Sequence, residues 1–135
     1  MSDPLQLDVL IAGAGPAGRL AWRLASGGAS VLVVDPLLDL RQAAFSSAAV
    51  PLTFLRQFSL PEAVVAARWS GWQLHGPGEQ VRRWQAPSDL GAVLDFGSLR
   101  QWLAQQAQAQ GARLELGWRV QRWQPCSEGA SAWLR

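Results

Sequence analysis

The chain has 135 residues, 49% of them apolar and 16% charged, enough to bury one core and too apolar for a disordered tail. Net charge is +2, and all 12 basic residues are arginines scattered along the chain, with Arg82-Arg83 the longest run, a distribution that argues against a nucleic-acid partner. A single cysteine, Cys126, rules out an internal disulfide, the single His75 argues against a metal site, and no apolar run approaches the ~20 residues of a membrane span.

The first element is an apolar strand over about 7–12, running through Asp8-Val9-Leu10-Ile11-Ala12 into Gly13-Ala14-Gly15-Pro16-Ala17-Gly18. A helix follows over 16–26. Ala17, Leu20, Ala21 and Leu24 recur at helical spacing on one face, Arg19 and Arg23 lie on the other, and Gly27-Gly28 supplies a stop. A second strand over 30–35 ends on Asp35.

Strand, glycine turn, helix, strand and acid stand in the order a dinucleotide site requires. Gly13 allows the sharp turn out of the strand, Gly15 lets backbone approach a pyrophosphate, and Gly18 permits close packing of helix on strand. Pro16 fits the first helical turn, whose free N–H groups and positive dipole end face a diphosphate. Asp35 follows Gly13 by 22 residues, close to the ~20 expected of a carboxylate that accepts a ribose 2′-OH and repels a 2′-phosphate.

Beyond Asp35, Pro36 opens a loop over 36–47. Short helices are expected near 50–57 and 61–67, the second beginning at Pro61 with Glu62 in its first turn. Residues 69–75 and 80–85 read as a hairpin across Gly76-Pro77-Gly78, and 92–95 as a short strand. A helix over 97–109 carries Leu99, Trp102, Leu103 and Ala107 on one face, with Ser98 as its cap and Gly111 as its stop; Asp89 and Asp95 read as turn and cap residues. A third parallel strand is expected at 112–116, then antiparallel strands at 117–124 and 131–135.

Three parallel strands under two helices would leave one sheet face and an edge open, and the strand pattern still running at Arg135 suggests a fragment. The eight tryptophans read chiefly as packing residues, with an apolar substrate face as the sharper alternative. His75 reads as a surface or packing residue. No catalytic residue is identified.

The stretch DVLIAGAGPAG, the Ala/Leu-rich helix and VLVVD resemble the FAD-binding fingerprint of the glutathione-reductase-like fold. More narrowly they are similar to the branch that holds para-hydroxybenzoate hydroxylase, geranylgeranyl reductase and lycopene cyclase, the Asp35-Pro36 pair being reminiscent of the cyclases. Residues 54–65 resemble that family's short helix pair, and 96–120 its helix leading into the third strand.

The resemblance implies an α/β fold, a Rossmann-like FAD-binding domain of three-layer ββα type over residues 1–135. That domain would be incomplete, with a hairpin inserted at about 69–85 and the start of an antiparallel crossover. The cofactor implied is FAD, bound by Gly13, Gly15, Pro16, Ala17, Gly18, Asp35, Pro36 and the main chain at Val120. Arg100 is either a pyrophosphate contact, replacing the Arg or Gln that relatives carry where this chain has Phe96, or a solvated helix charge. Reductases of this branch often carry Cys-Gly-Gly after the second strand; here Phe45-Ser46-Ser47-Ala48-Ala49 stands there, so no cysteine chemistry transfers, and Ser46 and Ser47 are the candidates to shape the flavin surroundings.

The activity implied for the intact protein is flavin-dependent oxidoreduction, reducing an alkene or oxygenating a ring, on a small isoprenoid or aromatic substrate. The expected setting is cytoplasmic, with peripheral membrane contact open; the chain alone is expected to bind FAD poorly and catalyse little. The alternatives are a lycopene cyclase-like flavoprotein, a fragment of an NAD-dependent dehydrogenase and a non-catalytic remnant.

Overall fold

A computed structural model of the chain describes residues 4–42, 45–46 and 48–135. These fall into two compact units, one built from 1–43 and 100–135 and the other from 44–99.

The first unit begins with β1 (Val9–Ala12), α1 (Ala17–Ser26) and β2 (Val31–Asp35). It is completed by the C-terminal part of α3 (Phe96–Ala109), then β8 (Arg113–Leu116), β9 (Val120–Cys126) and β10 (Gly129–Leu134). β2 lies in the middle of a parallel sheet ordered β1-β2-β8. Val9 pairs with Val31 and Ala12 with Val34 on one side, Leu32 with Arg113 and Asp35 with Leu116 on the other. All five residues of β2 are buried, as a near-continuous apolar run in a parallel sheet requires. Successive side chains of a strand face opposite ways, so the burial of Leu32 and Val34 along with Val31 and Val33 corrects the expectation of an open second face, at least along β2.

The core joins Ile11, Val31 and Val33 to Ala21 and Ala25 of α1 and to Ala104 and Ala107 of α3. The buried stripe of α1 is Gly18, Ala21 and Ala25, and Leu20 is exposed, contrary to the apolar face expected from its spacing. The reason is close approach of the helices. A Cβ built on Gly18 would stand 3.0 Å from the Leu103 Cβ, so that the glycine serves helix-on-helix packing and not the helix-on-strand contact anticipated. Trp22 meets Trp102 edge to face at 5.7 Å beside this seam.

Both helices end on the same pair of bonds. The Gly28 and Ala29 N–H groups donate to Ala25 and Leu24, and those of Gly111 and Ala112 donate to Gln108 and Ala107. At the foot of β1 and β2 the Ser30 hydroxyl and N–H both donate to the Asp8 carboxylate, at 2.7 and 2.8 Å. These bonds, the hydroxyl's first, hold the Asp8 carboxyl below its ordinary value of 3.8.

The second unit is antiparallel. It contains β3 (Ala49–Pro51), α2 (Leu52–Gln57), a 3₁₀ turn (Glu62–Val64), β4 (Val65–Trp69), β5 (Gly71–His75), β6 (Val81–Gln85) and β7 (Gly91–Leu94). β7 lies between β3 and β4, while β5 and β6 form a separate two-stranded hairpin. The helix expected over 61–67 is a single 3₁₀ turn that gives way to β4. Val65 and Trp69 pair with Leu94 and Gly91, and ladder bonds to β7 outweigh the helix-start signal of Pro61 and Glu62. Leu55, Val64, Ala92 and Leu94 are the buried apolar residues here. Trp72 stacks on Trp84 at 4.2 Å directly across the hairpin, yet both keep more than 40% of their surface exposed. α3 starts in this unit, where Asp95 caps it by accepting the Ser98 N–H at 2.8 Å; Ser98 is therefore the capped residue and not the cap.

Candidate functional site

The glycine turn leaves the carboxyl end of β1, the place where open α/β sheets bind ligands. Gly13 has φ +102°, a conformation that glycine alone adopts without strain, and its N–H donates to the Val34 carbonyl at 2.7 Å. A Cβ at Gly13 or Gly15 would meet nothing within 4 Å, so this side of the turn is open to a ligand that packs on backbone. Pro16 begins α1 with helical angles. The Gly18 and Arg19 N–H groups donate to the Gly15 and Pro16 carbonyls at 2.9 and 3.0 Å, which leaves fewer free donors than a bare helix start offers.

A cleft of about 240 Å³ opens beside the turn, lined by Ala12, Gly13, Val34, Pro36, Trp118, Arg119 and Val120. Its far wall is held by the Trp118 N–H donating to the Asp35 carbonyl and the Gly117 N–H to the Leu37 carbonyl, both at 3.1 Å. The structure thus brings Gly13, Pro36 and Val120 together from three separate stretches of chain. The sequence reading missed Trp118, which is 45% exposed on this wall; its position one residue past the Gly117 turn after β8 was the only signal.

Asp35 and Arg100 pair with each other in the interior, a contact not among the expectations from sequence. The Asp35 side chain is 6% exposed and that of Arg100 9%, and their Oδ2 and Nη2 atoms are 3.0 Å apart. The same Oδ2 accepts the Ala14 N–H at 2.8 Å, and Oδ1 accepts the Leu37 N–H at 2.9 Å. Three of about four acceptor directions of the carboxylate are therefore filled by the protein. Arg100 also donates from Nε to the Ala14 carbonyl at 3.3 Å and from Nη1 to the Gln42 carbonyl at 3.5 Å. The solvated helix charge considered for Arg100 is thereby overturned: the one turn of α3 between it and Leu103 places it on the buried stripe.

Of the candidates for the flavin surroundings, the Ser46 hydroxyl accepts the Ala48 N–H at 3.2 Å, and Ser47 lies outside the described residues. His75 is exposed on β5 beside Gln73. Among the described residues no group of three or more His, Cys, Asp and Glu could hold a metal ion, and no helix is long and apolar enough to cross a membrane.

A parallel β-α-β unit with an open glycine turn, a strand-end acid and a cleft at the carboxyl ends of the strands defines a Rossmann-like α/β fold of the kind found in FAD-binding domains. Comparison with known proteins gives that class particular members. No family model matches the chain. It is 35% identical over 126 residues to the digeranylgeranylglycerophospholipid reductase of Haloferax volcanii, a match that covers 90% of this chain and 29% of that protein. The crystal structure of a geranylgeranyl bacteriochlorophyll reductase-like protein from Thermoplasma acidophilum superposes with a TM-score of 0.81 at 22% identity, over 96% of this chain and 34% of the other. Aklavinone-11 hydroxylase, solved with FAD and aklavinone, gives 0.68 at 20% identity over 98% of this chain and 30% of its own. Halogenase PltM, solved with phloroglucinol and FAD, gives 0.70 at 17% identity over 97% and 32%. The resemblance holds in sequence for the Haloferax reductase and in fold for the reductase-like protein, the hydroxylase and the halogenase, and the chain spans about a third of the length of the proteins it matches.

Proposed function

We propose that the chain is the FAD-binding portion of a flavin-dependent oxidoreductase and that the site described holds the ADP half of FAD. The observation that carries this reading is the open backbone side of Gly13 and Gly15 at the mouth of the Pro36–Val120 cleft. Gly13, Gly15, Pro16, Ala17 and Gly18 would receive the diphosphate at the start of α1. Pro36 and the main chain at Val120 would flank the adenine, and Asp35 would offer its remaining acceptor direction on the ribose side. Arg100 belongs behind this site, since its guanidinium is engaged within the protein. When bound, FAD supplies the redox chemistry, and the protein binds and orients it.

Among the activities of this class, reduction of an isoprenoid alkene is the favoured reading. It is supported by the 35% identity to a reductase named for a geranylgeranyl lipid, against 20% or less for the hydroxylase and the halogenase. An isoprenoid lipid substrate would imply contact with a membrane surface from the cytoplasmic side. Residues 1–135 would form one part of the intact FAD-binding domain, with the β5–β6 hairpin as an insertion.

The test is titration of the 135-residue chain with FAD, followed by flavin fluorescence and by chromophore retention after desalting. A saturable fluorescence change that ADP competes away, and that Gly15→Glu abolishes by setting a carboxylate against the diphosphate, supports the reading. Affinity is expected to be low in a chain that spans about a third of its relatives, and a folded chain whose FAD response is unchanged by ADP and by Gly15→Glu overturns the reading.

A further inference from the structure

We infer that Arg100 and Asp35 form a buried clamp that fixes the Gly13-Ala14-Gly15 turn in its ligand-receiving shape before any nucleotide arrives. The inference rests on the reading of that turn as a diphosphate site. It assigns Arg100 a positioning role in place of a direct phosphate contact.

The argument starts from Ala14, the residue between the two open glycines. Its N–H donates to Asp35 Oδ2 at 2.8 Å and its carbonyl accepts from Arg100 Nε at 3.3 Å, so one ion pair holds both polar groups of a single residue. The pair is itself closed by the 3.0 Å contact between Arg100 Nη2 and that same Oδ2. The planar guanidinium spans the carboxylate and the Ala14 carbonyl at once, which a lysine ammonium cannot do in this geometry. A turn with two glycines has the most backbone freedom to lose on ordering. A clamp that removes this freedom in the folded protein leaves less to be lost when a ligand binds.

The charges support the same role. An unpaired Asp35 this close to the turn would repel an incoming diphosphate, and Arg100 cancels that charge from within. To touch a phosphate directly, Arg100 would have to leave Asp35, a buried carboxylate with no other cationic partner among the described residues. The remaining ion pairs of the described residues, such as Arg41 with Asp39 and Arg113 with Glu115, are exposed. The Arg100 and Asp35 positions are 65 residues apart in sequence, so the clamp also ties α3 to the first β-α-β unit.

The experiment uses the 135-residue chain with Arg100→Gln, Arg100→Lys and the neutral pair Asp35→Asn/Arg100→Gln. Hydrogen exchange at the Ala14 amide is read against that at Val33, which reports global unfolding, and FAD and ADP dissociation constants are measured alongside. The clamp predicts that Arg100→Gln speeds Ala14 exchange at least tenfold relative to Val33 and weakens both nucleotides about tenfold. It predicts that Arg100→Lys recovers little of either. The neutral pair leaves no unpaired buried charge but lacks the guanidinium, and its asparagine has one acceptor oxygen for the Ala14 and Leu37 N–H groups, so it is predicted to fold and to recover neither. Should Arg100→Gln fail to fold, the lysine variant and the neutral pair still decide. Nucleotide affinity kept by Arg100→Lys but lost in the neutral pair, with Ala14 still protected, identifies a direct phosphate contact and overturns the clamp. A wild-type chain whose nucleotide response is unchanged by Gly15→Glu while Ala14 protection follows the pair overturns the nucleotide reading instead, and with it the clamp's service to a ligand.

Discussion

The unit formed by 1–43 and 100–135 and the unit formed by 44–99 spend their apolar residues differently. In the first, all of β2 is buried and the helices meet through glycine and alanine. In the second, every residue of β6 is exposed, as is every residue of β5 after Gly71, and the tryptophans Trp72 and Trp84 cover mainly each other. A parallel sheet needs cover on both faces, whereas an antiparallel ribbon satisfies its backbone bonds with one strand partner. A site that must hold backbone amides in a fixed shape is therefore found where the packing leaves no alternative arrangement.

The largest expected effect breaks the first unit from inside. Arg100→Gln leaves a buried carboxylate without its partner and is expected to cost about 3–5 kcal/mol, read as a lower urea midpoint. A comparable loss is expected from no side-chain truncation on the exposed β5–β6 hairpin. Next, the same truncation made in each unit sharpens the contrast. Val31→Ala removes a fully buried side chain and is expected to cost about 2 kcal/mol, while Val81→Ala, 43% exposed in β6, is expected to cost under about 0.5 kcal/mol in the same assay. Trp72→Ala comes third: it removes a stacked pair worth about 1 kcal/mol, visible as faster exchange of hairpin amides with β2 amides unchanged.

The smallest effect is a matter of pH. The folded Asp8 carboxyl lies below its ordinary value of 3.8, so the stability it contributes is present above that value and is lost as pH falls through the lower, folded one. Ser30→Ala should lower the neutral plateau slightly and flatten the acid limb, so that variant and parent converge as pH falls below 3.8, which acid titration followed by circular dichroism would show.

Local patterns made much of the first unit readable. The strand at Val9–Ala12, the helix ending at Gly27-Gly28, the strand closed by Asp35 and the helix stopped by Gly111 each carry their own signal within a few residues. What escaped were choices made by distant partners. Periodicity cannot say that α1 turns Gly18, and not Leu20, toward α3, because Leu103 makes that choice 85 residues later. Nor can it reveal that Arg100 is buried, since its reasons are Asp35, Ala14 and Gln42. At β4 the helix-start signal of Pro61 and Glu62 was real but short, and pairing with β7 decided the outcome. In the candidate site, the glycines and Pro36 were legible from the motif, whereas Trp118 on the wall of the cleft depended on where the turn at Gly117 brought the chain back.

The central position of β2 bears on how the chain is made. Its partner on one side is β1, a helix away, but its partner on the other is β8, with Leu32 pairing to Arg113, 81 residues further on. During synthesis β1, α1 and β2 emerge first, and one edge of β2 has to wait while all of 44–99 is produced. The loop-closure penalty grows only slowly with that length, yet the waiting edge is a hydrophobic strand with unpaired amides. The second unit has all its strands available before β8 exists, so it is expected to order first, and the glycine turn to gain its final shape only when Arg100 has followed it out of the ribosome.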